Sequence, residues 1–307
     1  MAIKSYKGFD KNLRCRGFQY KIGGIYEMDG KIKMCNRGFH ACESPFDVFD
    51  YYTMIDSRFC EVEQDGNISK WDRGTKICSS KIKIKAELKL ADMINLGVEW
   101  LKEITSPEKI KTSIKDNSSG NNAQIGSSGD GAKIGSSGYR AKIGSSGDGA
   151  QIGSSGNNAK IGSSGYGAKI GSSGYDAQIG SSGDGAQIGS SGYGAKISSS
   201  GYGAQIGSSG DGAQIGSSGY GAKISSSGYG AKIDSTGEDC VIMCAGINSV
   251  AKASKGSWVT LSEWSYSEEK QRYIPICVKT EFVDGEKIKA DTYYSLKGGV
   301  FVEWIND

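Results

Sequence analysis

The sequence predicts a three-part chain: an α+β head over residues 1–112, a central parallel β-solenoid over 113–255, and a small all-β C-terminal module over 256–307. Three observations lead there. A nine-residue unit, x-x-Ala-(Lys/Gln)-Ile-Gly-Ser-Ser-Gly, runs thirteen times without a gap from Asn121 to Gly237. A fixed short period of this kind marks a solenoid and overrides local helix or strand signals. Ahead of it lies ordinary globular sequence that mixes strand patterns with two helix signals. Behind it the period decays into alternating strands separated by Asp-Gly and Gly-Gly turns.

The head is read in chain order. Lys4 to Phe9 is a strand. Gln19 to Ile22 and Ile25 to Met28 flank Gly23-Gly24, which suggests a hairpin. Asp29-Gly30 turns into a further strand, Lys31 to Cys35. Ser44-Pro45-Phe46-Asp47 is a helix start, with Ser at the N-cap and Pro in the first turn, and the helix runs to about Tyr52. Arg58 to Glu63 alternates as a strand, Asp65-Gly66 turns, and Ile77 to Leu90 is a longer strand. Ala91 to Ile104 is an amphipathic helix with Ile94, Val98 and Leu101 on its apolar side.

In each repeat, Ala and Ile are two residues apart, which places them on one face of a short strand with Lys or Gln on the other. Gly-Ser-Ser-Gly then supplies the corner. One nonapeptide cannot bury its own Ile, so units must stack. Two units per coil give two facing sheets, the preferred geometry. Three per coil give a triangular prism, for which Ser198 and Ser225, twenty-seven residues apart, are the one hint. The residue after Ala is Lys in seven units and Gln in six. The residue after the corner Gly is Tyr in seven, Asp in four and Asn in two, with no sorting onto one side of an eighteen-residue coil. That reads as a solvated surface before it reads as a multivalent binding face. Calcium-binding repeats need Asp two positions before the large apolar residue, where this chain has Ala throughout.

After the repeats, Ile242, Gly246 and Ala251 keep the register, as capping units do. Ser257 to Leu261, Tyr273 to Phe282, Lys287 to Tyr294 and Val300 to Trp304 are the expected strands of the tail, with Trp258, Trp264 and Trp304 as its core.

Composition narrows the function classes. Lys and Arg total 37 and Asp and Glu 34, a net charge of +3 with the lysines spread, so no nucleic-acid stripe is expected. No run is long and apolar enough for a membrane span, and no apolar leader opens the chain, so a cytoplasmic or virion-associated location is expected. The eight cysteines form no Cys-x-x-Cys pair. Cys35, His40 and Cys42 supply three ligand types without a second pair, so no metal is expected and reduced thiols are.

The pattern Cys35-x-x-Gly38-Phe39-His40-x-Cys42, followed by Pro45, Tyr51-Tyr52 and Arg58-Phe59-x-Glu61-Val62-Glu63, resembles an uncharacterised family of bacteriophage and gut-bacterial proteins, as does the stretch Trp258 to Trp304. That resemblance implies a phage or prophage source and brings no activity. A weaker resemblance is to ADP-ribosyltransferases, carried by Lys7-Gly8-Phe9, Gly38-Phe39-His40 and Glu61-Val62-Glu63 in that order. It implies NAD as cofactor, with His40 or Tyr52 holding nicotinamide or ribose and Glu63 polarising the ribose hydroxyl. The Ser-Thr-Ser motif and a first-strand Arg or His anchor are both missing. Candidate binding residues are therefore Arg37, His40, Tyr51, Tyr52, Glu61 and Glu63. The expectation is a non-catalytic, phage-encoded binding or scaffold protein, a possible homo-oligomer, that sequesters a host molecule such as a nucleotide defence signal. An NAD-using transferase and a virion fibre or decoration protein are the alternatives.

Overall fold

The structure, a computed structural model, describes residues 2–54, 56–71, 74–104, 117–118 and 120–305. The chain divides into two compact units, Met1–Trp100 and Leu101–Asp307. The boundary expected near residues 112 and 113 lies outside the described residues.

The first unit is built on seven strands: β1 (Ile3–Phe9), β2 (Arg14–Cys15), β3 (Phe18–Gln19), β4 (Ile25–Glu27), β5 (Phe39–Cys42), β6 (Arg58–Lys70) and β7 (Lys76–Leu88). Helix α1 (Leu90–Ile104) follows. The main sheet runs β4-β7-β5-β1-β6, and β6 also pairs with β7, so β7, β5, β1 and β6 close into a small barrel. Phe9, Phe39, Cys60, Val62, Ile82 and Ile84 fill it. One buried polar side chain ties the ring together: Gln64 accepts from Ser5 Oγ (2.9 Å) and donates to the Phe39 carbonyl (2.8 Å) and Ser79 Oγ (3.0 Å). These bonds reach β1, β5 and β7 from β6. Satisfying every polar atom of a buried amide makes this register costly to leave.

Several local expectations changed. Gly23-Gly24 does not join a hairpin: β3 pairs with β2, and β4 pairs with β7. The long-range strand β7 offers β4 more backbone partners than its short neighbour could. Lys31 to Cys35 forms no strand, only an isolated bridge from Lys33 to Arg37. Asp65-Gly66 bulges within β6 rather than ending it, with Gly66 at φ +76°. The helix expected from Ser44 to Tyr52 is a single 3₁₀ stretch, Phe46–Asp50, whose Asp47 N–H bonds Ser44 Oγ at 3.3 Å.

The second unit is the solenoid. From Gln124–Ser127 to Lys232–Ser235, each strand pairs in parallel with the strand eighteen residues on, as in Ile134 with Ile152 and Ile143 with Ile161. Two units therefore make one coil, and the solenoid has about 8 turns over residues 124–261. The three-per-coil alternative is excluded. Ser198 and Ser225 sit in opposite sheets, so their spacing has no geometric meaning. Most repeat strands are Lys/Gln-Ile-Gly-Ser, as in Lys169–Ser172. Ile and the following Ser point inward; Lys/Gln and Gly point outward. Ala, just before the strand, is buried at the corner, and most of these Ile and Ala side chains show almost no surface. Stacked Ile rows thus remove about 2 kcal/mol of apolar surface per coil side from water.

The corner explains the glycines. A Cβ on Gly192 would stand 2.0 Å from the carbonyl oxygen of Gly174, one coil back, and the same holds at Gly210 over Gly192. The second residue of each unit is left-handed, as at Gly167 (φ +63°) and Asn158 (φ +57°), which restricts it to Gly, Asn, Asp and one Arg. The first residue has a separate role where it is Asp or Asn. Its Oδ1 accepts the backbone N–H one coil on, as from Tyr166 to Asp148 (2.7 Å) and Tyr229 to Asp211 (2.8 Å). Where Tyr follows Tyr one coil on, the rings meet, stacked in Tyr202 on Tyr220 at 5.5 Å and edge-on in Tyr175 with Tyr193.

The outward Lys/Gln row is not uniformly solvated. It is exposed in the sheet that holds Lys169 and Gln187, but Lys160 and Gln178 in the other sheet are buried. At the C-terminal end the parallel stack gives way to antiparallel hairpins, Trp258–Ser267 with Arg272–Phe282 and Tyr294–Lys297 with Val300–Glu303. Lys287 to Tyr293 is a turn-rich loop rather than a strand, and Val283, Ile288, Tyr294 and Leu296 plug the end of the Ile core. Trp258 is not core. It lies half exposed beside Phe282, because its register faces outward while Val259 faces in. Trp264 and Trp304 are half-buried.

Substituting Gly192→Ala should lower stability by about 3 kcal/mol or more, since backbone cannot yield to a Cβ at that distance. Gly171→Ala, on the open outer face with nothing near it, should change stability by less than about 0.5 kcal/mol. Urea unfolding of the two full-length variants, followed by circular dichroism, measures the difference.

Candidate functional site

The head holds a cleft with a volume of ≈ 1220 Å³. Its floor is built from β1. Both faces of this strand are buried, so Lys7 points inward between Ser5 and Phe9 and is itself buried. Its Nζ donates to the His40 carbonyl (3.0 Å) and to Cys15 Sγ (3.5 Å). The rings of Phe9, Tyr20 and Tyr52 lie within 5.3 to 6.0 Å of the same nitrogen. Burial holds the Lys7 ammonium below its ordinary range. Tyr52 fits against β1 because residue 8 is Gly: a Cβ there would meet the tyrosine ring at 2.4 Å. The Tyr52 hydroxyl reaches Cys15 Sγ at 3.0 Å, and burial raises its pKa well above the phenol range. Burial likewise pushes Tyr20 up to about 12.

His40 sits on β5 at the cleft wall. Its Nε2 accepts the Cys35 N–H at 2.9 Å, which fixes that nitrogen as unprotonated. Its pKa falls to about 4, first through burial and then through the charges of Lys76, Lys7 and Arg16, while a backbone hydrogen bond to Gly38 pulls weakly the other way. Three cations thus surround a neutral imidazole. Lys76 also lies 4.1 Å over the Tyr51 ring and 5.3 Å over Trp71. Among the described residues no carboxylate forms an ion pair with Lys7, Arg16 or Lys76. Three carboxylates line the cleft, Asp10, Glu27 and Asp56; Asp10 accepts from the Asn12 and Arg14 N–H groups, and Glu27 pairs with Lys81.

Of the residues singled out from sequence, Arg37, His40, Tyr51 and Tyr52 line the cleft. Glu61 and Glu63 do not. They lie along β6, paired with Lys4 at 2.9 Å and Lys85 at 2.8 Å. Sequence reading missed Lys7, Cys15, Arg16, Tyr20 and Lys76 as cleft residues. The one available signal was Lys7 itself, at the inward register of β1 between Ser5 and Phe9, and it is weak because Tyr6 on the opposite face is buried too. Among the described residues no group of three or more His, Cys, Asp or Glu is placed to hold a metal ion. No helix among them is long and apolar enough to cross a membrane.

Residues 3–96 match a family described as a domain of unknown function (DUF7666). The head therefore contains an uncharacterised domain, and the match ends before the repeats begin. No curated protein and no solved structure matches the chain.

The His40 shift gives a pH prediction. The folded value, about 4, lies below the unfolded value of 6.5, so the neutral ring stabilises the fold above pH 6.5. That contribution is lost as pH falls from about 6.5 through 4. His40→Asn should flatten stability over this interval relative to wild type, measured as the urea midpoint against pH.

Proposed function

We propose that this is a non-catalytic binding protein whose head takes an anionic, ring-bearing small molecule of the nucleotide class, with the solenoid as scaffold. The observation that carries the reading is the unneutralised cluster of Lys7, Arg16 and Lys76 around the uncharged His40, in a cleft walled by tyrosines. Cations without carboxylate partners at low local dielectric favour an anion. Tyrosine faces suit a planar ring. The resemblance of the head and tail to phage proteins extends the proposal: the ligand would be a host nucleotide signal, withdrawn from use by binding.

A transferase reading needs Glu63 at the ligand. Its carboxylate instead neutralises Lys85 on the neighbouring strand, and that ion pair holds its pKa down. His40 and Tyr52 are in the cleft without it, which supports binding rather than chemistry.

Isothermal titration with a panel of adenine and guanine mono- and dinucleotides tests the reading. A bound nucleotide should lose at least about tenfold affinity in the double variant Arg16→Ala, Lys76→Ala, and binding should weaken as salt rises. Glu63→Gln should leave affinity unchanged. Native mass spectrometry of the protein from bacterial cells, before and after denaturation, should release a phosphate-bearing compound. Failure of every anionic ring compound to bind, together with release of no small molecule, would sink the proposal.

A further inference from the structure

The cleft also carries a nucleophile that anion binding does not use. Cys15, at the end of β2, is half-buried and lines the cleft. Its sulfur has an amine on one side, Lys7 Nζ at 3.5 Å, and a phenol on the other, Tyr52 Oη at 3.0 Å. A nucleophile and a base within contact distance, with the sulfur held by a third group, is the arrangement of an activated thiol. Of the other thiols, Cys42, Cys60, Cys78, Cys240 and Cys244 are buried, and burial pushes Cys60 and Cys244 up to about 12. Cys35 is exposed, with Lys76 Nζ at 3.7 Å. Cys277 is half-buried like Cys15 and has no lysine against its sulfur among the contacts of the described residues.

We propose that Cys15 is a covalent modification site that takes small α,β-unsaturated carbonyl compounds, with Lys7 as the base and Tyr52 as the group that positions the sulfur. The thiol proton passes to Lys7 Nζ as the sulfur forms a bond to the β-carbon. The π electrons of the alkene move to the carbonyl as an enolate. The α-carbon then takes a proton back from Lys7, which returns to the form in which it reacted, so no further reactant is consumed. Burial lowers the Lys7 pKa, which eases access to the amine that accepts the proton. The Tyr52 hydroxyl keeps its proton and is a standing donor to the developing thiolate. Lys7 cannot relax away from the sulfur without breaking its bond to the His40 carbonyl.

The probe is N-ethylmaleimide, used in substoichiometric amount on the full chain at neutral pH, with adducts placed by peptide mass spectrometry. Cys15 should label at least about tenfold faster than Cys277. Lys7→Met should slow Cys15 by about tenfold and leave Cys277 unchanged. Lys7→Arg, which keeps the charge but cannot accept a proton, should slow it equally. Tyr52→Phe deletes one hydroxyl from a ring that stays packed on Gly8. It should also slow Cys15, and it serves where a Lys7 variant fails to fold by circular dichroism. Labelling of Cys15 no faster than Cys277 overturns the proposal, as does an unchanged Cys15 rate in a folded Lys7 variant. No nucleotide is present in this experiment, so its outcome is separate from that of the anion reading.

Discussion

Thirteen near-identical units can stack only if the chain passes each corner without lateral room, and the glycine closing every unit makes that passage possible. At Gly156, Gly174, Gly192 and Gly210 a side chain would collide with the carbonyl of the glycine one coil back, so these residues form a column in which backbone touches backbone. The close approach brings the flanking N–H and C=O groups into register. Gly194 N–H bonds the Asp211 carbonyl at 2.8 Å, and Ser200 N–H bonds the Ser181 carbonyl at 3.0 Å. With most corner groups bonded backbone to backbone, and Asp or Asn adding one side-chain bond where it stands, the first position of the unit is left free to vary. That freedom is the physical reason the first position of the unit drifts among Tyr, Asp and Asn while the last does not. It also explains how an interior of Ile, Ala and Ser suffices. The two sheets need no bulky filling when the corners already hold them close, and a short hydrogen-bonded ladder of many coils adds a small favourable term at each step.

The head meets the opposite constraint. It has no repeated backbone contact, so its barrel depends on a few buried polar groups that each have one acceptable arrangement. Gln64 spends its amide on three strands at once, and Lys7 is held by a carbonyl, a sulfur and aromatic faces. A buried lysine without a carboxylate partner is costly to keep, and such groups concentrate at ligand and reaction sites. The same residue therefore links the anion reading and the thiol chemistry, and both depend on β1 being covered on each face. Gly8 is the hinge of that arrangement, because the space it leaves is what admits Tyr52.

How much of this was legible follows from which contacts are local. The solenoid was readable because its period repeats the same local decision in every unit, and strand, corner and coil size all scale from one nonapeptide. The Asp and Asn caps were written in the sequence but looked like noise, since their partner is eighteen residues away and alternates between two edges. In the head, α1 was plain from the spacing of Ile94, Val98 and Leu101, each fully buried. The pairing of β4 with β7 was not, because Gly23-Gly24 is a good local turn and only the tertiary partner decides against it. Half of the candidate site was found through the His40 and Tyr51-Tyr52 motif. The rest, Lys7, Cys15, Arg16, Tyr20 and Lys76, comes from segments up to 69 residues apart in sequence that only the closed barrel brings together. Glu61 and Glu63 misled for a related reason: a Glu-x-Glu strand reads the same whether it faces a ligand or a row of lysines.

A stack of identical coils has no intrinsic end, since the last coil presents the same unpaired edge as every one before it. What stops this one is a change of strand direction together with a change of residue type. Trp258–Ser267 accepts the parallel ladder from Val241–Cys244 and returns it antiparallel to Arg272–Phe282. The outermost strand then carries Pro275 opposite Trp264, at a register break, where it can neither donate a ladder bond nor lie flat. Glu263 locks the second hairpin by accepting from the Gly298 and Gly299 N–H groups at 2.8 and 2.9 Å. The Ile core meanwhile closes over Cys240, Cys244, Val283 and Ile288, which are larger or differently shaped than the Ala and Ser they follow. Repeats set the length of the solenoid, but it is these non-repeating residues, by withholding an edge that a further coil could join, that make the length finite.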